Sequence, residues 1–487
     1  MESEQATLVV TNCEAVLGGV DGEQYGLAPD SAIAIAGDRI SWIGPASELE
    51  TPPGARVIDA GGRLAVPGLI STHNHLFQNL CKGLGDEMGV WPIVTQVILA
   101  TAEEMSADEI YVGALAACVE GVRSGRTSLL DFHVGLPDIE QQRAVVRAFQ
   151  ESGVRGILGR ATREVYVEAA HRDPWLIPLD EALEQISQLA REYENGLPTP
   201  SAAPAPGTPH TMTLKGLERV AEYAAAEGCQ VTVHLAEYAE EPHEGTLRWG
   251  SSTLVKLEEI GFLGPQLVAA HSTLVSPEEM DILARTGTQV SYNPVSNCYC
   301  GLGIAPIVPM LELGIDVSLA VDGASVNSQN MIESLKFGAL LQKVGYEDPQ
   351  ALNARDMLAM ATIAGAKAMG VPDLLGALEP GRLADLFLFD HRAINTSPAI
   401  DPISALVYMG GPQNVDTVIA GGELLLEDGR STKVDEKALA EELRERSIAV
   451  ASRAGTAKYA RGRRRTPFRL YAPITPHLPR HLDEEAV

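Results

Sequence analysis

His73 and His75 stand two residues apart in Ser-Thr-His-Asn-His, at the end of the run Leu-Ala-Val-Pro-Gly-Leu-Ile over 64–70. A short apolar run bounded by turn residues predicts a buried strand. Alternate residues of a strand share a face, so the two imidazoles leave it on the same side. Such a pair can begin a site for a divalent transition metal. Alone it is weak, because many histidines serve only packing and hydrogen bonding. The same arrangement recurs further on. His234 and Glu237 fall in VHLAEYAEE, His271 in VAAHSTL and Asp322 in LAVDGASVN, each with an apolar run before it and a loop after it. Taken singly, Glu237 reads as one solvated acid among several, His271 as a satisfied buried histidine and Asp322-Gly323 as a turn. With only 11 histidines in 487 residues, their joint placement at strand ends points to one site.

The chemistry of that site follows from its donors. His73, His75, His234 and Asp322 offer three nitrogens and one oxygen, a set suited to one divalent metal ion, zinc first and iron as the alternative. Such an ion lowers the pKa of a bound water toward neutrality and makes it a nucleophile. Glu237 is placed to carry a proton to a leaving group. His271 can hydrogen-bond the developing charge, and Asp322 can take the water's proton while remaining beside the metal.

Elements must bring these side chains together. Strand candidates are 64–70, 127–132, 154–160, 201–206, 230–236, 267–272, 288–293 and 315–322, with helical patterns between most of them. Eight strands alternating with helices predict an α/β fold, a (β/α)8 TIM barrel, whose catalytic groups sit at the C-terminal ends of the strands. The Pro-rich run at 201–206 is a poor strand by propensity. Residues 1–63 and 376–432 read as short strands with turn punctuation, so both chain ends are expected to meet in one small β-sandwich around a barrel of 64–375. An amphipathic helix opens 433–487, followed by the basic KYARGRRRTPFR and a Pro-rich tail; that basic stretch is expected to pack on the acidic body or on a neighbouring subunit.

A net charge of −28 argues against nucleic acid, whose phosphates would be repelled. Six cysteines without a framework spacing argue against a disulfide scaffold. No signal peptide and no membrane-spanning apolar run is legible, so a cytoplasmic protein is expected.

The ordered strings PGLISTHNH, HLAE, AHST and VDGASVN resemble the amidohydrolase superfamily, as do NPVSNCYCGLGIAP at 293–306, MATIAGAKAMG at 360–370 and LEPGRLADLFLFD at 378–390. The similarity is greatest to its heterocycle aminohydrolases, which include S-adenosylhomocysteine and methylthioadenosine deaminases, 8-oxoguanine deaminase and the s-triazine hydrolases. It implies the same four metal ligands, Glu237 as acid/base shuttle and His271 as the residue that polarises the water. It further implies that Gln78 meets the substrate ring and that Trp91, Arg160 and Asn297 lie in segments shaping the pocket. A homodimer or homotetramer is implied in the same way. Members with two metals need a bridging lysine, but after Lys82 the next lysine is Lys215, in a helical pattern, which favours one ion. Cys298 and Cys300 read as loop or pocket residues, since the His/Asp set already fills a zinc site. Three departures count against an adenosine-like substrate. AHST stands for Ala-His-Cys, Lys82 for the commoner arginine, and APGTPHTMT lacks a Pro-His directly after strand four, with His210 nearby. The expected activity is hydrolytic deamination of an aromatic N-heterocycle (nucleobase-, pterin- or triazine-like), with metal-bound hydroxide attacking the ring carbon. The alternatives are dechlorination or dealkylamination of an s-triazine on the same site, and a non-catalytic metal-binding barrel.

Overall fold

The computed structural model describes residues 6–19, 25–135, 138–165, 175–193 and 200–460. The chain begins with β1 (Leu8–Leu17), β2 (Gly26–Ala36), β3 (Arg39–Pro45), β4 (Arg56–Asp59) and β5 (Leu64–Pro67). Then come β6 (Leu69–His75), β7 (Arg126–His133), β8 (Arg155–Thr162) and β9 (Ala202–Pro206). They are followed by β10 (Val231–Leu235), β11 (Leu267–His271), β12 (Gln289–Tyr292), β13 (Val317–Leu319) and β14 (Asp322–Gly323). The last strands are β15 (Leu386–Phe389), β16 (Val415–Ala420), β17 (Glu423–Glu427) and β18 (Arg430–Ser431).

All pairings from β6 to β14 are parallel, in a five-stranded sheet ordered β14-β6-β7-β8-β9 and a four-stranded sheet ordered β10-β11-β12-β13. Helices fill the intervals, among them Ala107–Val122, Ile139–Ser152, Leu214–Glu227 and Pro277–Thr286. Their ends carry local signals. Ser106 and Glu109 exchange hydrogen bonds in a capping box, and Gly153 ends its helix at φ 76°, a left-handed turn that glycine adopts without a Cβ penalty.

The two parallel sheets abut at both edges, β9 beside β10 and β13 beside β6. The Pro-rich run at 201–206 does form a strand, and its parity explains why a ladder stops there. Leu158 N–H donates to the Ser201 carbonyl at 2.8 Å, so alternate residues from Ser201 face β8. Pro204 and Pro206 then turn their donorless nitrogens toward β10, where no ladder needs them. At the other edge side chains take over. The Thr72 hydroxyl lies 2.8 Å from those of Ser291 and Ser318, and Val321 N–H donates to Ser71 Oγ at 3.2 Å.

Two expected strands are divided. The run at 64–70 is broken by Gly68, whose flanks belong to different sheets: β5 pairs with β15 antiparallel, and β6 with β7 in parallel. No larger residue fits, because a Cβ at Gly68 would lie 2.2 Å from Thr127 Oγ1. The run at 315–322 likewise divides into β13 and β14.

The two chain ends meet in one nine-stranded sheet of mixed direction, ordered β18-β17-β16-β15-β5-β1-β2-β3 with β4 on β1. Its core mixes Val10, Ile33 and Ile35 from the first end with Leu386, Leu388 and Ile419 from the second. The amphipathic helix after 430 is Glu436–Arg453; it packs on Ala107–Val122, and Arg453 pairs with Glu109 at 2.7 Å. Residues 461–487, with most of the basic stretch, lie outside the described residues.

Candidate metal and catalytic centre

His73 and His75 end β6, His234 lies on β10, His271 ends β11 and Asp322 opens β14. The register of β6 against β7 slips between Ser71 and Asn74, a bulge just where the first imidazole leaves the strand. His271 and Asp322 hold φ angles of 73° and 66°, a left-handed backbone that costs non-glycine residues about 1 kcal/mol or more and collects at functional sites.

The geometry gathers these side chains. Asp322 Oδ1 lies 3.4 Å from both His73 Nε2 and His75 Nε2, and His234 Nε2 lies 3.3 Å from His75 Nε2. Hydrogen bonds from the far side of two rings decide the protonation. His75 Nδ1–H donates to the Phe132 carbonyl at 2.6 Å, and His234 Nδ1–H to the Gly207 carbonyl at 2.7 Å. Burial, reinforced by the His73 charge, pushes His75 down to about 4, and burial pushes His234 well down too. Both rings are therefore neutral with the proton on Nδ1, and two Nε2 lone pairs face each other with no proton between them. Neither nitrogen of fully buried His73 has a hydrogen-bond partner. Burial alone would raise the Asp322 pKa, but the closeness of the His73 and His75 Nε2 atoms, both at 3.4 Å, and of the His271 ring holds it well below the usual carboxylate range. Converging lone pairs around an ionised carboxylate fit a divalent cation and are repulsive without one.

Glu237 and His271 complete the floor. His271 Nε2 is 3.7 Å from Glu237 Oε1 and 3.8 Å from Asp322 Oδ2, while its Nδ1–H donates to Asn297 Oδ1 at 2.9 Å. Burial raises the Glu237 pKa, so this carboxyl can hold a proton as well as give one. Burial alone would lower His271, but the charges of Glu237 and Asp322 raise it. Ser296, which the sequence reading passed over, donates to Asp322 Oδ2.

Above the floor lies a cavity that opens to the surface. Its wall is apolar, with Val90, Ile93, Val94, Ile98 and Leu99 carried on a helical segment that includes a π-helical turn at Val94–Ile98. Gln78 lines the cavity and accepts from Ser325 Oγ at 2.7 Å; Trp91 lines it with its ring edge-on to Tyr238. Two expected pocket residues lie elsewhere. Arg160 alternates with Ile157, Gly159 and Ala161 along β8 and points behind the strand, where Gln185 Oε1 accepts from its guanidinium at 2.8 Å. Asn297 lies behind His271 and sets that ring's orientation. In their place Arg163 reaches the cavity, with no partner for Nε or Nη1 and its guanidinium over Trp175. Its position just past the end of β8 was the available signal. Cys300 lines the cavity and Cys298 is exposed. His210 stacks on Trp249 outside the lining, while Gly207 stands directly after β9 in the wall.

Parallel strands whose C-terminal ends carry a His/Asp cluster and a buried glutamate are the setting of a metal-binding hydrolase. The amidohydrolase family model matches residues 64–425, and the chain belongs to that family; with the deaminases that follow, this makes it a hydrolase acting on carbon–nitrogen bonds. A 5'-deoxyadenosine deaminase of Methanothermobacter thermautotrophicus is 33% identical over 382 residues, 78% of this chain and 86% of that protein. A 5-methylthioadenosine/S-adenosylhomocysteine deaminase of Syntrophobacter fumaroxidans is 32% identical over 440 residues, 90% of this chain and 97% of that protein. Among solved structures, an adenosine deaminase of Xanthomonas campestris with bound zinc superposes with a TM-score of 0.84 at 24% identity, covering 92% of this chain and 99% of that one. Atrazine chlorohydrolase of Arthrobacter aurescens, complexed with zinc, gives 0.83 at 24% identity, covering 90% and 100%. Those two likenesses speak for the fold. No helix among the described residues is long and apolar enough to cross a membrane.

Proposed function

We propose that this chain removes the exocyclic amino group from a ring carbon of an aromatic N-heterocycle by hydrolysis, with one zinc ion held by His73, His75, His234 and Asp322. The parallel strands then form a closed (β/α)8 barrel, supported by the abutting edges at β9–β10 and β13–β6. The domain limits are 64–375 for the barrel, 1–63 with 376–432 for the end-built β-domain, and 433–487 for the terminal helix and tail.

The observation that carries this reading is a buried Glu237, its pKa raised by burial, in the cavity floor beside His75, His234 and Asp322, with His73 directly behind them. A divalent ion supplies Lewis acidity and an activated water there. The protein's own groups do the rest. The apolar wall excludes bulk water and takes the flat ring, with Gln78 and Trp91 beside it. Glu237 delivers its proton to the ring nitrogen next to the attacked carbon, which turns that carbon into an electrophile. His271, steadied by Asn297, donates a hydrogen bond to the oxygen that arrives there. Of the attacking water's two protons, one passes by way of Asp322 to the leaving nitrogen, which departs as ammonia, and the other restores Glu237. The curated relatives, adenine-nucleoside deaminases at a third identity over most of their length, support ammonia as the leaving group.

The test is an ammonia-release screen on zinc-loaded protein, starting from adenine nucleosides and extending to aminopyrimidines, pterins and triazines. Chloride or alkylamine release from a triazine, with no ammonia from any aminoheterocycle, would transfer the assignment to the dehalogenating reaction. Glu237→Gln should lower kcat by about 10²- to 10⁴-fold with the zinc content unchanged. Wild-type turnover in a zinc-replete Glu237→Gln protein would remove Glu237 from the mechanism.

A further inference from the structure

We propose that Glu241 is a positioning residue that acts through Glu237, clamping the backbone from which the proton carrier projects. The proposal rests on the role of Glu237 given above.

Glu241 is 1% exposed, and its two oxygens divide between consecutive amides. Oε1 accepts from Ala236 N–H at 2.8 Å and Oε2 from Glu237 N–H at 3.0 Å. Among the described residues no lysine or arginine pairs with it, so these two amides are what holds the buried carboxyl in place. The clamped peptide is under strain, since Ala236 has φ 51° without being glycine. Its other side is tied as well: the Ala236 carbonyl accepts from Thr273 N–H at 2.9 Å and Leu274 N–H at 3.0 Å, and the Leu235 carbonyl from Ser272 N–H at 3.0 Å. The loop after β10, carrying Glu237, is thus pressed between the loop that follows His271 and the first turn of the helix Glu241–Trp249. Holding the first turn of that helix alone would put Glu241 to work for the fold and leave Glu237 untouched. A neutral amide at 241 keeps the volume but replaces one acceptor by a donor that faces an N–H.

Four zinc-loaded proteins separate the two roles: wild type, Glu241→Gln, Glu237→Gln and the double variant. Glu241→Gln is expected to lower kcat by about 10- to 100-fold, with KM and zinc content near the wild-type values. On the Glu237→Gln background the same change should cost less than about twofold, because residues acting through one group are not additive. Amide exchange of the peptide spanning 235–240 should quicken in Glu241→Gln, a readout independent of turnover. Equal losses on both backgrounds, or unchanged exchange and unchanged kcat, would overturn the proposal. Should Glu241→Gln fail to fold, Glu241→Asp, which keeps the carboxyl and shortens the reach, is judged by the same two outcomes. Failure of the deaminase reading shows separately, as a Glu237→Gln protein with wild-type turnover.

Discussion

A histidine is better aimed at a metal or acid–base centre when one ring nitrogen is committed elsewhere, as in three of the four rings gathered here. Phe132, Gly207 and Asn297 provide that commitment, each accepting from an Nδ1–H and turning Nε2 to the centre. The Asn297 bond is the most exposed to test, because it is a side chain that can be removed. Asn297→Ala leaves His271 free to rotate, and kcat should fall by about 10- to 100-fold while zinc content stays the same. Asn297→Asp keeps the acceptor and should recover much of the loss; equal turnover in both variants and wild type would show that the ring needs no such guide. At this scale the sequence was informative where residue type and strand-end position coincided, as for His73, His75, His234, Glu237, His271 and Asp322. It misled at Arg160. Arg160 stands three residues from Ile157, which faces the interior cluster, so alternation along the strand turns its side chain the other way, to the helices. Ser296 and Glu241 were invisible, because their work is done on a carboxylate and on backbone amides that only folding brings near.

At the scale of elements, strand order and helix signals were legible from alternation and caps, whereas strand breaks at Gly68 and between β13 and β14 were not, since each depends on which sheet the neighbour joins. β7 shows what burial of a whole element costs. Its last residue, His133, is fully buried against Phe77, and neither ring nitrogen has a hydrogen-bond partner. Burial, followed by the charges of Arg160 and His75, pushes its pKa down to about 3 from an ordinary 6.5. The folded chain therefore binds this proton less readily than the unfolded chain. The contribution is intact above pH 6.5 and is lost as the pH falls toward 3. His133→Phe, which keeps a ring edge-on to Phe77 and has nothing to protonate, should move the acid-unfolding midpoint to lower pH. Coincident circular-dichroism acid titrations of variant and wild type would sink this account.

Considered as a whole, the molecule is closed by its two ends. The alternating apolar runs at 7–62 and after 381 suggested that they meet; what they could not reveal is how the shared sheet grips the parallel strands. Gly68 N–H donates to the Asp385 carbonyl at 2.9 Å, joining β15 to the start of β6. Beside it Arg155, first residue of β8, places Nε 3.3 Å from both oxygens of Asp385, and Gly421 N–H donates to the same carboxylate at 2.8 Å. Both side chains are buried, at 7% and 4% exposure. A buried pair adds little over a well-packed apolar pair, yet removing one partner strands the other charge, at a cost of about 3–5 kcal/mol. Arg155→Ala is therefore expected to lower the melting temperature by about 5 °C or more. Because Arg155 lies at the end of β8 opposite the cavity, kcat at 25 °C should stay within about twofold of wild type. Adding Asp385→Asn should restore part of the loss, since the amide oxygen still accepts from Gly421 and no charge is left bare. If Arg155→Ala melts with the wild type, the grip lies elsewhere along the sheet. If it melts normally but loses turnover, the end-built sheet reaches the catalytic floor by a route that distance along β8 does not suggest.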